Sequence, residues 1–257
     1  MKHKARKRFG QNFLADPLVI QRIVDSIAPV PGQLVVEIGP GQAALTHPLA
    51  QTGAELHLVE IDRDLAKRLE RQFADYPGVK LHLGDALKMD FREITEGRPF
   101  RLVGNLPYNI STPLLFHLLQ WSDLLIDMHF MLQQEVVRRM AARPGGKAWG
   151  RLSIMCQYRC EVVPLFTVQP ESFTHTPKVQ SAIVRLVPHK NPPVRIDSMD
   201  SFQRLVSQAF SMRRKTLRNS LRGLLTVASI ESAGIDPGLR PEALSLQQFA
   251  DLSLLME

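Results

Sequence analysis

Five short apolar runs, each followed by a polar or amphipathic stretch, fill residues 34 to about 135 and set the tightest limit on what this chain can fold into. They read LVVEI (34–38), ELHLVEI (55–61), VKLHL (79–83), RLVGN (101–105) and DMHFMLQ (127–133). Between them, segments such as 62–73 and 112–121 carry apolar residues at helical spacing, and Asp62 stands where an N-cap belongs. Buried strands alternating with helices predict an α/β fold, a parallel sheet with helices on both faces. Ligands of such sheets bind beyond the carboxyl ends of the strands. Glu37, Glu60, Asp85 and Asn105 all fall at those ends.

The pattern changes after residue 144. RPGGKAWG (143–150) is a Gly-rich loop, and RLSIMCQYRCEVVPLF (151–166) and SAIVRLVPH (181–189) read as strands that extend the sheet with an antiparallel pair. HKNPPVRI (189–196) reads as a linker, because consecutive prolines block both helix and ladder. Residues 197–257 read as helical, with breaks near 234–237 and at Pro241. The expected division is a first domain of residues 1–190 and a small all-helical domain of residues 191–257.

Hydrophobic residues make up 44% of 257, enough for a real core. No uncharged apolar run reaches the ~18 residues that a membrane span needs. The N-terminal stretch MKHKARKRFGQNFL is basic without the apolar region of a secretory signal, and it is short and Ser-poor for a mitochondrial presequence. Cys156 and Cys160 suit neither a disulfide framework nor a metal site, which points to a reducing cytoplasm. The net charge of +7 is uneven: residues 1–10 carry +5 and residues 201–222 carry +6, leaving −4 for the remainder. Two basic islands on a mildly acidic body suit local phosphate contacts, although a solvated charged face is the plain alternative.

In VVEIGPGQAALT (35–46), Gly39 and Gly41 follow a strand and precede a helix, where glycine lets the backbone approach a ligand. The same residues fit G-x-G-x-x-A, so a dinucleotide site is one reading. Two acids turn the reading away from a pyrophosphate. Glu37 would repel it but can hold an ammonium, and Asp85 adds a second carboxylate to the same edge. Glu60, 19 residues after Gly41, stands where a carboxylate clamps ribose hydroxyls. Asp85 in GDAL (84–87) can accept from an adenine amine, or simply cap a turn. Ribose, adenine and a cationic amino-acid tail together describe S-adenosylmethionine.

The fourth strand ends in Asn105-Leu106-Pro107-Tyr108. An adenine N6 amine is a poor nucleophile because its lone pair is delocalised into the ring. Two acceptors on its hydrogens, the Asn105 side-chain oxygen and the Leu106 carbonyl, favour a pyramidal amine with its lone pair turned outward. Pro107 fixes the backbone that aims this carbonyl. Tyr108 offers a face for an extruded base, a contact worth about 1–3 kcal/mol. The NLPY run resembles that of the amino-methyltransferases, and the likeness narrows along the whole chain. KRFGQNFL (7–14), VEIGPGQAALT (36–46), VEID (59–62), GDAL (84–87), NLPYNISTPLLFHLL (105–119), SFTHTPKVQSAIVRL (172–186) and FSMRRKTLRNSL (210–221) resemble, in this order, the KsgA/RsmA family.

That family consists of bacterial rRNA adenine N6,N6-dimethyltransferases, which act on two adjacent adenosines near the 3′ end of small-subunit (16S) rRNA. The resemblance implies a Rossmann-like S-adenosylmethionine-dependent sheet and a role in small-subunit ribosome biogenesis. It implies that Gln11, Asn12 and Leu14 close over the cofactor, with Glu37, Gly39, Gly41, Glu60, Asp85, Ala86 and Asn105 around it. Phe173 becomes a second stacking partner for the base, and Arg213, Arg214, Lys215 and Arg218 lie along RNA phosphates. The implied partner is 16S rRNA in the small subunit or its assembly intermediate; a cytoplasmic monomer without a metal is the simplest expectation for the chain itself. Four positions depart from expectation: His175 and Thr176 interrupt the family's usual proline run, Trp149 replaces a usual Tyr, and Ala43 takes the third place of the G-x-G-x-G that methyltransferases often carry. The alternatives are an Erm-type enzyme acting on large-subunit rRNA, a non-enzymatic RNA binder on the same fold, and a dinucleotide oxidoreductase.

Overall fold

The computed structural model describes residues 13–106, 111–212 and 214–256. Seven strands form one sheet: β1 (Leu34–Ile38), β2 (Glu55–Glu60), β3 (Val79–Leu83), β4 (Phe100–Asn105), β5 (Leu125–Gln133), β6 (Cys160–Val168) and β7 (Ser181–Pro188). The helices are α1 (Pro17–Ile27), α2 (Thr46–Gln51), α3 (Arg63–Gln72), α4 (Phe91–Ile94), α5 (Ser111–Leu118), α6 (Gln134–Met140), α7 (Arg151–Arg159), α8 (Met199–Ala209), α9 (Leu217–Ser220), α10 (Val227–Ser232) and α11 (Leu246–Ser253).

The strand order is β3-β2-β1-β4-β5-β7-β6. β1 pairs in parallel with both β2 and β4, and β7 runs antiparallel to β5. The chain therefore builds outward from β1 through β3, returns to the middle at β4, and builds the other way. That reversal opens a crevice at the carboxyl ends of β1 and β4, where a loop leaves each strand in an opposite direction. All five residues of β1 are buried, as a central strand covered on both faces requires. Val35, Leu56, Leu58 and Val103 join Ile23, Val24 and Ile27 of α1 in one core cluster. Truncating one of the Leu or Ile side chains to Ala would cost about 2–5 kcal/mol.

Side-chain caps set the helix starts. Asp16 Oδ1 accepts from the amides of Leu18 and Val19 ahead of α1, and Asp62 caps α3 by accepting from Asp64 and Leu65. Each satisfies backbone donors that the helix itself leaves open.

The chain divides into two compact units, one running to Val137 and resuming over Val163–Pro188, the other made of Arg138–Val162 and the chain from His189 onward. In sequence terms, the helical unit begins with an excursion between β5 and β7 that precedes the proline linker. Within it, the buried face of α8 carries Phe202, Leu205, Val206 and Ala209. Tyr158 packs on Phe202 with ring centroids 5.3 Å apart, and Phe210 on Phe249 at 5.6 Å. Trp149 is buried, and its indole N–H donates to the Leu244 carbonyl at 2.9 Å.

The structure corrects one expected strand. Residues 151–159 form helix α7, and the strand begins only at Cys160. Leu152, Ser153, Ile154, Met155, Cys156 and Tyr158 are all buried, so the segment has no polar face to reveal its period. Ser153 settles the matter locally, because its Oγ accepts from the Gly150 amide and donates to the Arg139 carbonyl. Cys156 and Cys160 are free, buried thiols, and burial pushes the Cys160 thiol up to about 12. The helical region after residue 197 is also more broken than its sequence predicts, with irregular backbone over 210–212, 214–216 and 221–226.

Candidate active site

The loop after β1 alternates into left-handed backbone three times, at Gly39 (φ 67°), Gly41 (φ 58°) and Ala43 (φ 68°). Gly39 donates its amide to the Val59 carbonyl at 2.9 Å, which ties the loop to the end of β2. A Cβ added at Gly41 would stand 3.1 Å from the Phe13 ring, whereas one at Gly39 would meet nothing within 4 Å. Space beside Gly39 is thus open to a ligand. Ala43 pays the left-handed strain that a glycine there would avoid, about 1–2 kcal/mol.

Glu60, at the end of β2, is 3% exposed. Its Oε2 accepts from the Gly41 amide at 3.2 Å and its Oε1 from the Asp62 amide at 2.9 Å. Each carboxylate oxygen can accept twice, so both retain capacity for a diol. Burial raises this carboxyl above its usual range, while the backbone amides of Asp62, Gly41 and Ile61 oppose the rise. Glu37 is 2% exposed on β1, and its Oε2 accepts from Thr46 Oγ1 at 2.7 Å. Burial pushes Glu37 up to about 7, against the Thr46 hydrogen bond and helped by the charge of Glu60. Two buried acids at adjacent strand ends leave a deficit of positive charge. An ammonium group supplies what they lack.

Gly84 donates to the Glu60 carbonyl at 2.9 Å, which sets Asp85 beside the end of β2. Asp85 is half-buried, and its Oδ1 accepts from the Leu87 amide at 3.0 Å. It therefore caps its own turn, one of its two expected roles, with Ala86 buried behind it. Asn105 ends β4, opposite Met131 of β5, and Leu106 donates to the Met131 carbonyl at 3.3 Å. Leu106 is buried at 1% exposure, so its side chain anchors the loop while its backbone continues toward the crevice.

One determinant escaped the sequence reading. A Cβ on Gly104 would stand 2.8 Å from the Ile38 carbonyl oxygen and 3.1 Å from Leu106 Cδ2. Only glycine lets β4 lie this close to β1 immediately before Asn105. A glycine inside a strand is the available signal. Thr46, the partner of Glu37, was likewise part of a quoted run but had no assigned role.

Leu14 and Phe173 meet as an isolated antiparallel bridge, and both belong to the buried core cluster. Phe173 is 4% exposed, so in this structure its ring presents little surface to a base. The interrupted proline run lies just beyond it, with His175 and Thr176 both exposed. Arg214, Lys215 and Arg218 are exposed in the helical unit, and Arg218 makes no ion pair among the described residues. Gln11, Asn12, Pro107, Tyr108 and Arg213 lie outside the described residues. Among the described residues, no group of three or more His, Cys, Asp or Glu could hold a metal, and no helix is long and apolar enough to cross a membrane.

Comparison with known proteins adds a family. The ribosomal RNA adenine dimethylase family matches residues 2–257. The Ribosomal RNA small subunit methyltransferase A of Pseudomonas putida is 56% identical over 252 residues, spanning 98% of this chain and 94% of that protein. The protein of the same name from Marinobacter nauticus is 53% identical over 254 residues, 99% of this chain and 92% of its own length. Among solved structures, a dimethyladenosine transferase from Plasmodium falciparum superposes with TM-score 0.80 at 25% identity, covering 93% of this chain and 95% of that one. The 23S rRNA methyltransferase ErmE superposes with TM-score 0.74 at 26% identity, covering 94% and 98%.

Proposed function

This chain belongs to the ribosomal RNA adenine dimethylase family and is an rRNA methyltransferase; from that premise we propose that it uses S-adenosylmethionine to dimethylate two adjacent adenosines at N6 in the 3′-terminal hairpin of 16S rRNA. Identity of 56% to a small-subunit methyltransferase, held over 98% of the chain, carries the choice of small over large subunit. ErmE shares the fold at 26% identity, which leaves its substrate a weaker guide.

The cofactor supplies a methyl group already activated on a sulfonium, so the protein needs no nucleophile of its own. Its residues bind and align. Glu60 accepts from the ribose hydroxyls, Asp85 with Ala86 borders the adenine, and Glu37 with the open loop at Gly39 and Gly41 faces the cationic tail. Gln11, Asn12 and Leu14 close over that pocket. Asn105 and the Leu106 carbonyl accept from the target N6 amine, Pro107 aims the carbonyl, and Tyr108 stacks the extruded base. Phe173 is the second stacking partner for that base in this reading. A base taken out of its helix costs a few kcal/mol, which these contacts offset.

Within residues 1–190, the unit that runs to Val137 and resumes over Val163–Pro188 carries methyl transfer in this reading, and 191–257 supply RNA contacts through Arg213, Arg214, Lys215 and Arg218. The enzyme works as a cytoplasmic monomer on the small subunit or its assembly intermediate. The test is methyl transfer from labelled S-adenosylmethionine to small subunits lacking these modifications, with mass spectrometry of the digested rRNA. Dimethyladenosine in the 3′-terminal hairpin is expected. Label confined to large-subunit RNA would move the assignment to the Erm-type activity.

A further inference from the structure

The helical unit holds a cleft of about 650 Å³ that the roles above leave unused. One wall is a polar stripe of α8 and its end: Arg204, Ser207, Gln208 and Ser211 recur at helical spacing, opposite the buried stripe of Phe202, Leu205, Val206 and Ala209. Ser220 and Arg222 stand on the other wall, and Gln208 Nε2 links the two by donating to the Arg222 carbonyl at 3.0 Å. Among the described residues no carboxylate lines the cleft, and residues 201–222 contain six cations and no acid.

Ser220 is the telling residue. It is 1% exposed, yet its Oγ has no hydrogen-bond partner among the described residues. A buried hydroxyl without a partner is costly, and in a site that meets a ligand the ligand supplies the missing bond. The charge says what kind. Arginine forks pair with phosphate oxygens, and hydroxyls and an amide beside them suit a sugar or a base edge. The hydroxyls and amide beside the arginines favour something larger than a bare phosphate.

We propose that this cleft is a nucleotide subsite, taking one nucleotide of the rRNA with its phosphate on Arg204 and Arg222 and its ribose or base edge on Ser220. The proposal rests on the rRNA reading above. It adds a second point of contact to the exposed Arg214, Lys215 and Arg218, and one that holds a nucleotide rather than a strand of phosphates.

The test uses the full chain and small ribosomal subunits lacking the modification, with binding measured across salt concentrations. Arg204→Gln and Arg222→Gln should each weaken binding about three- to tenfold and reduce the slope of log affinity against log salt by about 0.7. Ser220→Ala should weaken binding severalfold with the slope unchanged, since the lost contact is neutral. Ser220→Ala removes a hydroxyl that has no partner, so folding should survive it. Arginine variants that weaken binding while Ser220→Ala does nothing would reduce the cleft to surface charge and overturn the proposal. So would stabilisation of the chain by free adenosine monophosphate, lost in Arg204→Gln, with subunit affinity unaltered. Failure of the wild-type chain to methylate small-subunit RNA would instead overturn the function reading, and the binding data would still stand on their own.

Discussion

Thr46 Oγ1 donates to Oε2 of Glu37 at 2.7 Å, joining the first turn of α2 to the carboxyl end of the buried strand β1. Burial nevertheless holds the Glu37 carboxyl at about 7, well above its ordinary 4.5. In the folded state it keeps its proton where the unfolded chain has released one. Stability therefore falls as pH rises from about 4.5 to about 7, and the full cost stands above that. The cost is on the order of 3 kcal/mol. Glu37→Gln should flatten this pH dependence and make the chain more stable than wild type at pH 8, measured by denaturant unfolding at pH 5, 7 and 8. A cation in the pocket pulls the other way, so S-adenosylmethionine should bind wild type more tightly at pH 8 than at pH 6. In Glu37→Gln that gain should vanish.

Glu60 holds two backbone amides while it waits for a diol, which makes its variants separable. Glu60→Ala leaves the Gly41 and Asp62 amides without an acceptor, at about 1–3 kcal/mol for each that stays buried. Glu60→Gln keeps one acceptor oxygen, so one of the two amides loses its partner and the stability loss should be smaller than for Glu60→Ala. It should still lose about tenfold or more in cofactor affinity by calorimetry, because one neutral amide replaces a bidentate acceptor. Wild-type affinity in Glu60→Gln would remove the ribose role.

These two acids also mark how far the sequence could be read. Strands β1 to β5 were legible because each is a short apolar run, and Glu37, Glu60, Asp85 and Asn105 could be placed at strand ends by counting. Contacts made by residues that look ordinary were not. Thr46 is one hydroxyl in AALTHPL, and nothing in that run announces that it faces a carboxylate nine residues earlier. Helix α7 was misread because its neighbours bury it on nearly every side, so periodicity carried no signal. Phe173 was readable as an aromatic beside the motif, but its burial against the Leu14 segment depends on two stretches about 160 residues apart.

Gly104 is a steric prediction. With Ile38 O at 2.8 Å from its would-be Cβ, Gly104→Ala must push β1 and β4 apart or tilt the end of β4. Overpacking of this kind costs about 1–3 kcal/mol. Because Asn105 is the next residue, turnover should fall by more than cofactor affinity does. A variant with normal turnover would show that the strand ends tolerate the shift.

Phe173 can be tested for two roles with two substitutions. At 4% exposure in the core cluster, Phe173→Ala should cost about 3–5 kcal/mol and lower the melting temperature by several degrees. That result alone says only that the ring is packed. Phe173→Leu fills most of the volume and should fold with a loss of less than about 1.5 kcal/mol. If the ring also stacks the target base, Phe173→Leu should cut turnover on small subunits while leaving S-adenosylmethionine affinity near wild type. Stacking is worth about 1–3 kcal/mol, so the expected loss is about five- to 150-fold. Full turnover in a stable Phe173→Leu enzyme would leave the residue a core side chain and Tyr108 the sole aromatic proposed for the base.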